Sequence, residues 1–593
     1  MTDTMQEEIL GKAYDARLMR RLLFYLKPYR RPTFWAAVCL LAGSGVAILQ
    51  PYLTKLAIDR HIQNGDLEGL GRIAALYILT LVLVFAFECL QTLLINTTGQ
   101  KVMSDLRMEI VGHLQKMDVA FFDKNPVGRL MTRVTSDVDA LNELFTSGVL
   151  SVFQDICTLS GIMAVLFWMN YKLALAVFSI LPLLVLVTLL FKIKARDSFR
   201  RVRTALARIN AFLQETITGA AVVQIFRQEE KQFRRFTRIN REHLDANLLS
   251  VLYHALFLPL LELISALAIA LIIWYGGRQA LEGILTTGTL VAFLQYSDRF
   301  FKPISNLSEQ YTVLQSAMAS SERIFLLLDT PPGIRPPASP RARSVGKGGI
   351  EFRNVHFAYN PGEPVLDDVS FRVDPGEKVA IVGATGSGKS TIVSLMSRFY
   401  EAGQGRILVD GIDVADFDLL GLRRSIGVVL QDVFLFSGTV GDNIRLGDRD
   451  ITDADVRRAA ETVHASRFIE KLHGRYHARI GERGSTLSSG QKQLLAFARA
   501  LAHDPRILVL DEATSSIDTE TELLIRDALE KLLKGRTSVI VAHRLSTVQN
   551  ADRIIVLHHG RVRETGTHQE LLGRKGIYWK LFQLQYQGSA PWR

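Results

Sequence analysis

The sequence predicts a two-part chain: an all-α, six-helix membrane-spanning half followed by an α/β half built on a mostly parallel sheet. Three observations carry that prediction. Six apolar runs of bilayer-spanning length lie before residue 310, a Pro/Gly-rich break follows near residue 330, and short β-type runs then alternate with helical patterns.

With 593 residues the chain is too long for one hydrophobic core. Its 48% hydrophobic and 22% charged content excludes a largely disordered protein. Mean hydropathy of +0.16 over that length argues against a wholly water-soluble one, because the apolar content must be concentrated somewhere. The net charge of +11 admits either nucleic acid or anionic lipid as a partner. Cys39, Cys89 and Cys157 all sit in apolar stretches without metal-ligand spacing and read as small core residues. The polar stretch Met1 to Ala16 carries Glu7 and Glu8 and lacks the basic, then apolar, pattern of a cleaved signal. Membrane insertion is therefore expected from internal segments.

The six runs cover about 33–54, 73–95, 145–169, 171–192, 250–275 and 287–308, with Pro51, Glu88 and Gln295 interrupting three of them. Two long connections, 96–143 and 192–249, are rich in Arg and Lys, whereas the others are short. The positive-inside rule puts these basic stretches, and the N-terminal Arg17, Arg20, Arg21, Lys27, Arg30 and Arg31, in the cytoplasm. Both long connections keep helical periodicity, as membrane helices extended into water would. Leu18 to Leu26 is amphipathic and reads as an in-plane helix at the inner leaflet. The basic excess is thus accounted for by topology and lipid contact, and no nucleic-acid partner is expected.

The expected division is an N-terminal cytoplasmic segment 1–32, a transmembrane domain 33–325, a linker 326–349, an α/β domain 350–587 and a tail 588–593. In the α/β domain the strand Lys378–Val382 runs into Gly383-Ala384-Thr385-Gly386-Ser387-Gly388-Lys389-Ser390, followed by a helical pattern from Thr391. This is G-x-x-x-x-G-K-[ST] in its confirming strand–loop–helix context, so phosphate binding is expected. Backbone N–H groups wrap the phosphates, Lys389 adds a point charge, and the Ser390 hydroxyl is placed for Mg²⁺. A second apolar strand ends in Asp511-Glu512. That puts Asp511 where it holds Mg²⁺ through water, and Glu512 where it polarises an attacking water, which points to hydrolysis.

Between these motifs stands Leu487-Ser488-Ser489-Gly490-Gln491, which resembles the L-S-G-G-Q signature of ABC-transporter ATPases. Gln431 matches that family's Q-loop, a magnesium contact; Ser515-Ser516-Ile517-Asp518 its D-loop; His543 its switch histidine; and Tyr359 its adenine-stacking aromatic. Upstream, Phe121-Phe122-Asp123, Gly128-Arg129 and Arg133-Val134 through Asp137 resemble the first cytoplasmic loop of type IV ABC exporters. Gln491 through Ala496 and Gly566-Thr567-His568 resemble bacterial multidrug-resistance-like half-transporters of the MdlB kind.

The resemblance implies a RecA-like ABC nucleotide-binding domain with an α-helical subdomain. It implies a dimer of half-transporters in the bacterial cytoplasmic membrane, with the nucleotide-binding domains and both termini inside. It implies two ATP molecules, each held by one chain's phosphate loop and the other's signature, so that Ser488, Ser489, Gly490, Gln491 and Asp518 serve a nucleotide together with Tyr359, Gly383 to Ser390 and Thr391. Glu512, His543 and Gln431 are the catalytic set. Outward transport of amphipathic or hydrophobic compounds is the expected function; a lipid or lipid-linked flippase, or a peptide exporter, uses the same engine. The loop tips near Asp123 to Arg129 and Gly219 to Phe226 are the expected coupling helices.

Two features depart from the pattern or add to it. Ser489 replaces the usual glycine, where a side chain alters the approach to the partner's γ-phosphate. A heterodimer is expected on that ground, with a homodimer as the alternative. Glu88, Asp155 and Glu262 lie inside apolar runs. One reading is an acidic belt for cationic amphiphiles; the other is carboxylates paired between helices.

Overall fold

The computed structural model describes residues 15–511, 519–542 and 548–587. The chain divides into two compact units, one of Met1–Leu114 with Gly128–Thr330 and one of Gln115–Val127 with Pro331–Arg593. The segment Gln115–Val127 thus groups with the C-terminal unit.

Helix α1, Ala16–Phe24, starts at Asp15, whose carboxylate accepts the Arg17 N–H at 2.7 Å. It buries Leu22 and exposes Leu23 and Phe24. Then come α2 (Arg30–Leu56), α3 (Leu67–Leu114), α4 (Val119–Lys124), α5 (Val127–Val134), α6 (Ser136–Glu143), α7 (Val149–Met169) and α8 (Tyr171–Phe178). After these follow α9 (Leu181–Thr218), α10 (Ala220–Ile225), α11 (Glu229–Leu271), α12 (Gly277–Leu281) and α13 (Thr287–Asp329). With 48 residues α3 is about 72 Å long at 1.5 Å per residue, over twice the hydrocarbon thickness. The helical periodicity expected beyond the apolar runs is therefore realised as continuous helix. The fourth apolar run is two helices, because Pro182 can start α9 but cannot continue α8.

Five segments, rather than six, are long and apolar enough to span a membrane among the described residues: Lys27–Ile62, Leu67–Leu114, Val127–Met169, Tyr171–Thr218 and Glu229–Leu281. The sixth run lies in α13, a continuous helix of 43 residues that falls short because it carries Gln295, Asp298, Arg299 and Lys302. Two of its polar groups are satisfied against α2: the Tyr296 hydroxyl donates to the Ile48 carbonyl at 2.6 Å, and Arg299 donates to the Gln50 side chain at 2.7 Å. Interior pairing of this kind is how a bundle accommodates polar residues at membrane depth. Cys39 is buried as expected, but Cys89 is exposed on α3, so it is not a core residue.

In the C-terminal unit the strands are β1 (Ile350–Ala358), β2 (Pro364–Val373), β3 (Lys378–Val382), β4 (Gln404–Val409), β5 (Ile412–Asp413), β6 (Ile426–Val429), β7 (Gly438–Thr439), β8 (Arg479–Ile480), β9 (Ile507–Asp511), β10 (Thr537–Val541), β11 (Arg553–His558) and β12 (Arg561–Gly566). A six-stranded sheet runs β12-β11-β3-β10-β9-β6, parallel apart from the edge strand β12. Alternation along its strands feeds two cores: Ala380, Leu508, Leu510 and Ile540 face one way, toward Leu494 and Phe497. Val379, Ile381, Val509 and Val539 face the other, toward Ile392 and Phe352. A separate antiparallel sheet, β2-β1-β4-β5, adds a layer that the expectation of a mostly parallel domain omitted.

The expected linker 326–349 takes the following form. Helix α13 continues to Asp329, and the following segment is fastened down. Asp410 takes four backbone N–H groups, from Gly346, Lys347, Gly348 and Gly349, at 2.7–2.9 Å. Ala342 bridges to Phe417, and the Arg335 carbonyl accepts from Arg398 at 3.1 Å.

Candidate functional site

The parallel strands deliver three loops to one edge of the sheet, the carboxyl ends of β3, β9 and β6, where ligands of open α/β sheets bind. The β3 loop turns sharply into helix α14 (Lys389–Met396). Gly388 adopts φ +99°, and a Cβ there would meet Leu366 at 2.6 Å. At Gly383 a Cβ would lie 2.3 Å from the Leu557 carbonyl oxygen, so the loop passes too close to β11 for any side chain. Thr385 and Gly386 are exposed at the loop's crest, Ser387 is buried beneath it, and Thr391 is buried one turn along.

Lys389 is 5% exposed, and its Nζ donates to the carbonyls of Gly383 and Ala384 at 2.9 and 3.0 Å. Burial pulls its ammonium below the usual lysine value, and the negative charge of Asp511 opposes that pull. Asp511 ends β9 beside Val541 of β10. Ser390 is exposed at the start of α14, and Gln431 is exposed two residues past β6. The structure thus brings the phosphate loop, Asp511 and Gln431 to the same edge. Glu512, Asp518 and His543 lie outside the described residues.

Sequence reasoning missed what holds the Gln431 loop. Asn443, 2% exposed, exchanges two 2.8 Å hydrogen bonds with the backbone of Phe436. Arg499 donates to the Asn443 carbonyl at 2.9 Å and to the Phe434 carbonyl at 3.2 Å. Arg499 belongs to the helix Ser489–Ala502, so the Gln431 loop and the helix that begins at the signature are tied by one guanidinium. No local motif marks either residue.

At the head of that helix Ser488 and Gln491 form a reciprocal capping box, Ser488 accepting the Gln491 N–H and Gln491 accepting the Ser488 N–H. Ser489 is the first helical residue, exposed and without positive φ, and Gly490 is buried. The backbone here therefore does not require glycine at 489. Tyr359, just past β1, is 40% exposed, and its hydroxyl donates to the Thr391 hydroxyl at 3.1 Å.

The expected tip Asp123 to Arg129 spans the end of α4, a short turn and the start of α5, whereas the tip Gly219 to Phe226 is the short helix α10, which with its end exposes Val222, Ile225 and Phe226. The three intramembrane carboxylates are not alike: Asp155 is buried, whereas Glu88 and Glu262 are exposed. His254 packs edge-on against Phe191 and Phe199, a structural placement.

Residues 33–304 match the family described as ABC transporter transmembrane region, and residues 366–515 match the family described as ABC transporter. A Bacillus subtilis protein called uncharacterized ABC transporter ATP-binding protein YknV is 40% identical over 98% of this chain and 96% of its own. The chain belongs to the ABC transporter family. An ATP-dependent lipid A-core flippase of Syntrophus aciditrophicus is 37% identical, covering 96% of this chain and 95% of its own. A probable multidrug resistance ABC transporter ATP-binding/permease protein of Bacillus subtilis, YheH, is 37% identical over 90% of this chain and 79% of its own. Among solved structures, a bacterial Atm1-family ABC exporter with ATP bound superposes with TM-score 0.79 at 29% identity, covering 95% of this chain and 99% of that one. This ABC transporter is accordingly a multi-pass membrane exporter that binds and hydrolyses ATP, and exporters of this fold work as dimers.

Proposed function

We propose that this ABC exporter moves amphipathic or hydrophobic compounds, of multidrug type, outward across the bacterial cytoplasmic membrane by alternating access. Its nucleotide-binding domain and both termini face the cytoplasm. The observation that carries the ATPase roles is the convergence of the phosphate loop, Asp511 and Gln431 at one sheet edge. Backbone N–H groups from Gly383 to Ser390 cradle the phosphates, Lys389 swings its ammonium from two loop carbonyls to phosphate oxygens, and Tyr359 stacks on adenine. The hydroxyl of Ser390, the carboxylate of Asp511 and the side-chain carbonyl of Gln431 form an oxygen-only donor set that suits Mg²⁺, which would neutralise phosphate charge there. Glu512 orients the attacking water, and His543 and Asp518 complete the site.

Ser488, Ser489, Gly490 and Gln491 close over the nucleotide of the second half-transporter. We favour a different chain as that second half. With glycine not required by the backbone, the reason is the hydroxymethyl group that Ser489 places on the exposed first turn, toward the partner's γ-phosphate. Membrane lipid surrounds the assembly and no nucleic acid is involved. A second reading, outward movement of a lipid, is favoured by the relative called a lipid A-core flippase.

ATPase turnover of the purified chain in lipid, alone and co-expressed with a neighbouring half-transporter, tests this, with Glu512→Gln as control. Turnover only in the mixed complex, lost in Glu512→Gln, is expected; full turnover from the lone chain establishes a homodimer instead. Efflux of a cationic dye that weakens in Glu88→Gln and Glu262→Gln supports the multidrug reading. Stimulation by lipid without dye efflux replaces it with the flippase.

A further inference from the structure

Three aromatic rings meet at the end of β1. Phe357, Tyr359 and Tyr400 stand edge-on to one another with centroids 4.8 to 5.6 Å apart. Edge-to-face packing fixes the angle of each ring, because the positive edge of one sits on the negative face of the next. Two of the rings use their hydroxyls in different directions. Tyr359 donates to Thr391, the residue after Ser390 in the first turn of α14. Tyr400 donates to the carboxylate of Asp123, in the short loop helix α4.

The Tyr400–Asp123 bond is charge-assisted, the stronger kind. Burial, and then the hydrogen bond to Asp123, hold the Tyr400 phenol far above its ordinary pKa, so it stays a donor at any physiological pH. Further packing holds α4 beside it: a Cβ on Gly333 would lie 2.1 Å from the Asp118 carboxylate, which itself caps α4 by accepting the Phe121 N–H at 3.0 Å. The chain of contacts therefore runs from α4 through Tyr400 to Tyr359, and from Tyr359 to the helix that starts the phosphate site.

We propose that Tyr400 is a positioning residue for the nucleotide: it holds the Tyr359 ring in its base-stacking orientation and makes that orientation depend on the loop helix that carries Asp123. This rests on the reading of Tyr359 as the base-stacking ring. A ring already held at the stacking angle gives up little freedom when a base arrives, whereas a released ring must be ordered at that moment. The contact therefore acts on ATP affinity and not on phosphoryl chemistry.

The test is steady-state ATPase kinetics of the full-length transporter in lipid, assembled with its partner half. Variants are Asp123→Ala, Tyr400→Phe, the two together, and Tyr359→Ala, with inhibition by inorganic tripolyphosphate, which has no base, as the companion readout. Asp123→Ala and Tyr400→Phe are each expected to raise the KM for ATP about three- to tenfold with kcat within about twofold. The double variant is expected to be no worse than either single one, since both break the same link, and tripolyphosphate inhibition stays unchanged. Tyr400→Phe retains the ring and its packing, so loss of fold does not account for its effect. If Tyr359→Ala raises KM while Asp123→Ala and Tyr400→Phe do not, or if their effects multiply in the double variant, the proposal is overturned. A fall in kcat at unchanged KM, or an equal change in tripolyphosphate inhibition, also overturns it. If Tyr359→Ala leaves KM unchanged, the base-stacking reading of Tyr359 fails instead.

Discussion

Arg299 donates to the Ala47 carbonyl at 2.6 Å, and Ala47 is the residue whose carbonyl Pro51 leaves without its helical donor. A proline inside a membrane helix exposes one carbonyl to a medium that cannot hydrogen-bond it, and a neighbouring helix must supply the donor. Here α13 does so with a guanidinium, which explains why that helix tolerates an arginine at membrane depth. Arg299→Leu is expected to lower stability by about 1–3 kcal/mol, the cost of an unsatisfied buried polar group. Pro51→Ala restores the helical donor, so the same substitution should cost much less in that background. Thermal unfolding of the four proteins in lipid measures the difference, and equal costs in both backgrounds would refute the relationship.

A buried ion pair joins α6 to the C-terminal part of α13. Asp137, 7% exposed, accepts from Arg323 Nε at 3.0 Å and from the Ser320 hydroxyl at 2.9 Å. Removing one partner leaves the other charge buried, so Arg323→Ala is expected to cost about 3–5 kcal/mol. Asp137→Asn with Arg323→Met, which removes both charges, should recover most of it. Chemical denaturation that finds the single and double variants alike counts against the pairing.

Helix α1 is fastened to the end of α13 by two bonds from Arg21 to Asp329, at 2.7 and 2.8 Å, with the guanidinium 4.1 Å above the Phe325 ring. Arg21 holds the Asp329 carboxyl below the ordinary carboxylate value. A carboxylate depressed in the folded state stabilises above its unfolded value and loses that contribution as pH falls through the folded value. The α1 attachment is therefore intact at neutral pH, begins to weaken as pH falls below the ordinary carboxylate value of about 4, and is released only through the depressed folded value. Because both groups are largely exposed, the effect is local and worth about 0.5 kcal/mol. Hydrogen exchange in residues 16–24 should quicken in Arg21→Ala at neutral pH, and its difference from the parent protein should shrink as pH falls and Asp329 protonates.

Ser489 offers a clean substitution because its backbone is ordinary helix. Ser489→Gly removes a hydroxymethyl group and disturbs no φ value, while the Ser488–Gln491 capping box remains. Under the heterodimer reading, where Glu512 of this chain drives turnover, the gain falls on the partner's nucleotide: its affinity should rise about two- to fivefold, roughly 0.4–1 kcal/mol, with turnover unchanged within about twofold. Unchanged affinity would mean that the serine hydroxyl is accommodated.

Much of the C-terminal unit was legible because its chemistry is local. A phosphate loop needs glycines at fixed offsets and a lysine at the helix start, and the expected strand Lys378–Val382 is β3 residue for residue. Asp511 at a strand tip is legible for the same reason. What escaped reading depends on partners far along the chain. Tyr400 and Asp123 are 277 residues apart, and Asn443 and Arg499 are 56 apart, so no window holds both members. The sixth run was legible as part of helix α13 but not its polar residues: hydropathy measures affinity for lipid, and a helix facing its neighbours with Tyr296 and Arg299 need not have it. Gly346, Gly348 and Gly349 read as slack, although glycine also lets successive N–H groups converge on one carboxylate, as they do on Asp410.

That clasp leaves little free chain between the last helix and the ATPase sheet. Arg335, Ala342 and Gly346 through Gly349 are all held, so only a few residues after α13, two of them prolines, precede the first fastening. A stretch whose composition suggests a tether is for most of its length a clasped border of the ATPase domain, and flexible residues inserted there would cost that domain its own fastening contacts.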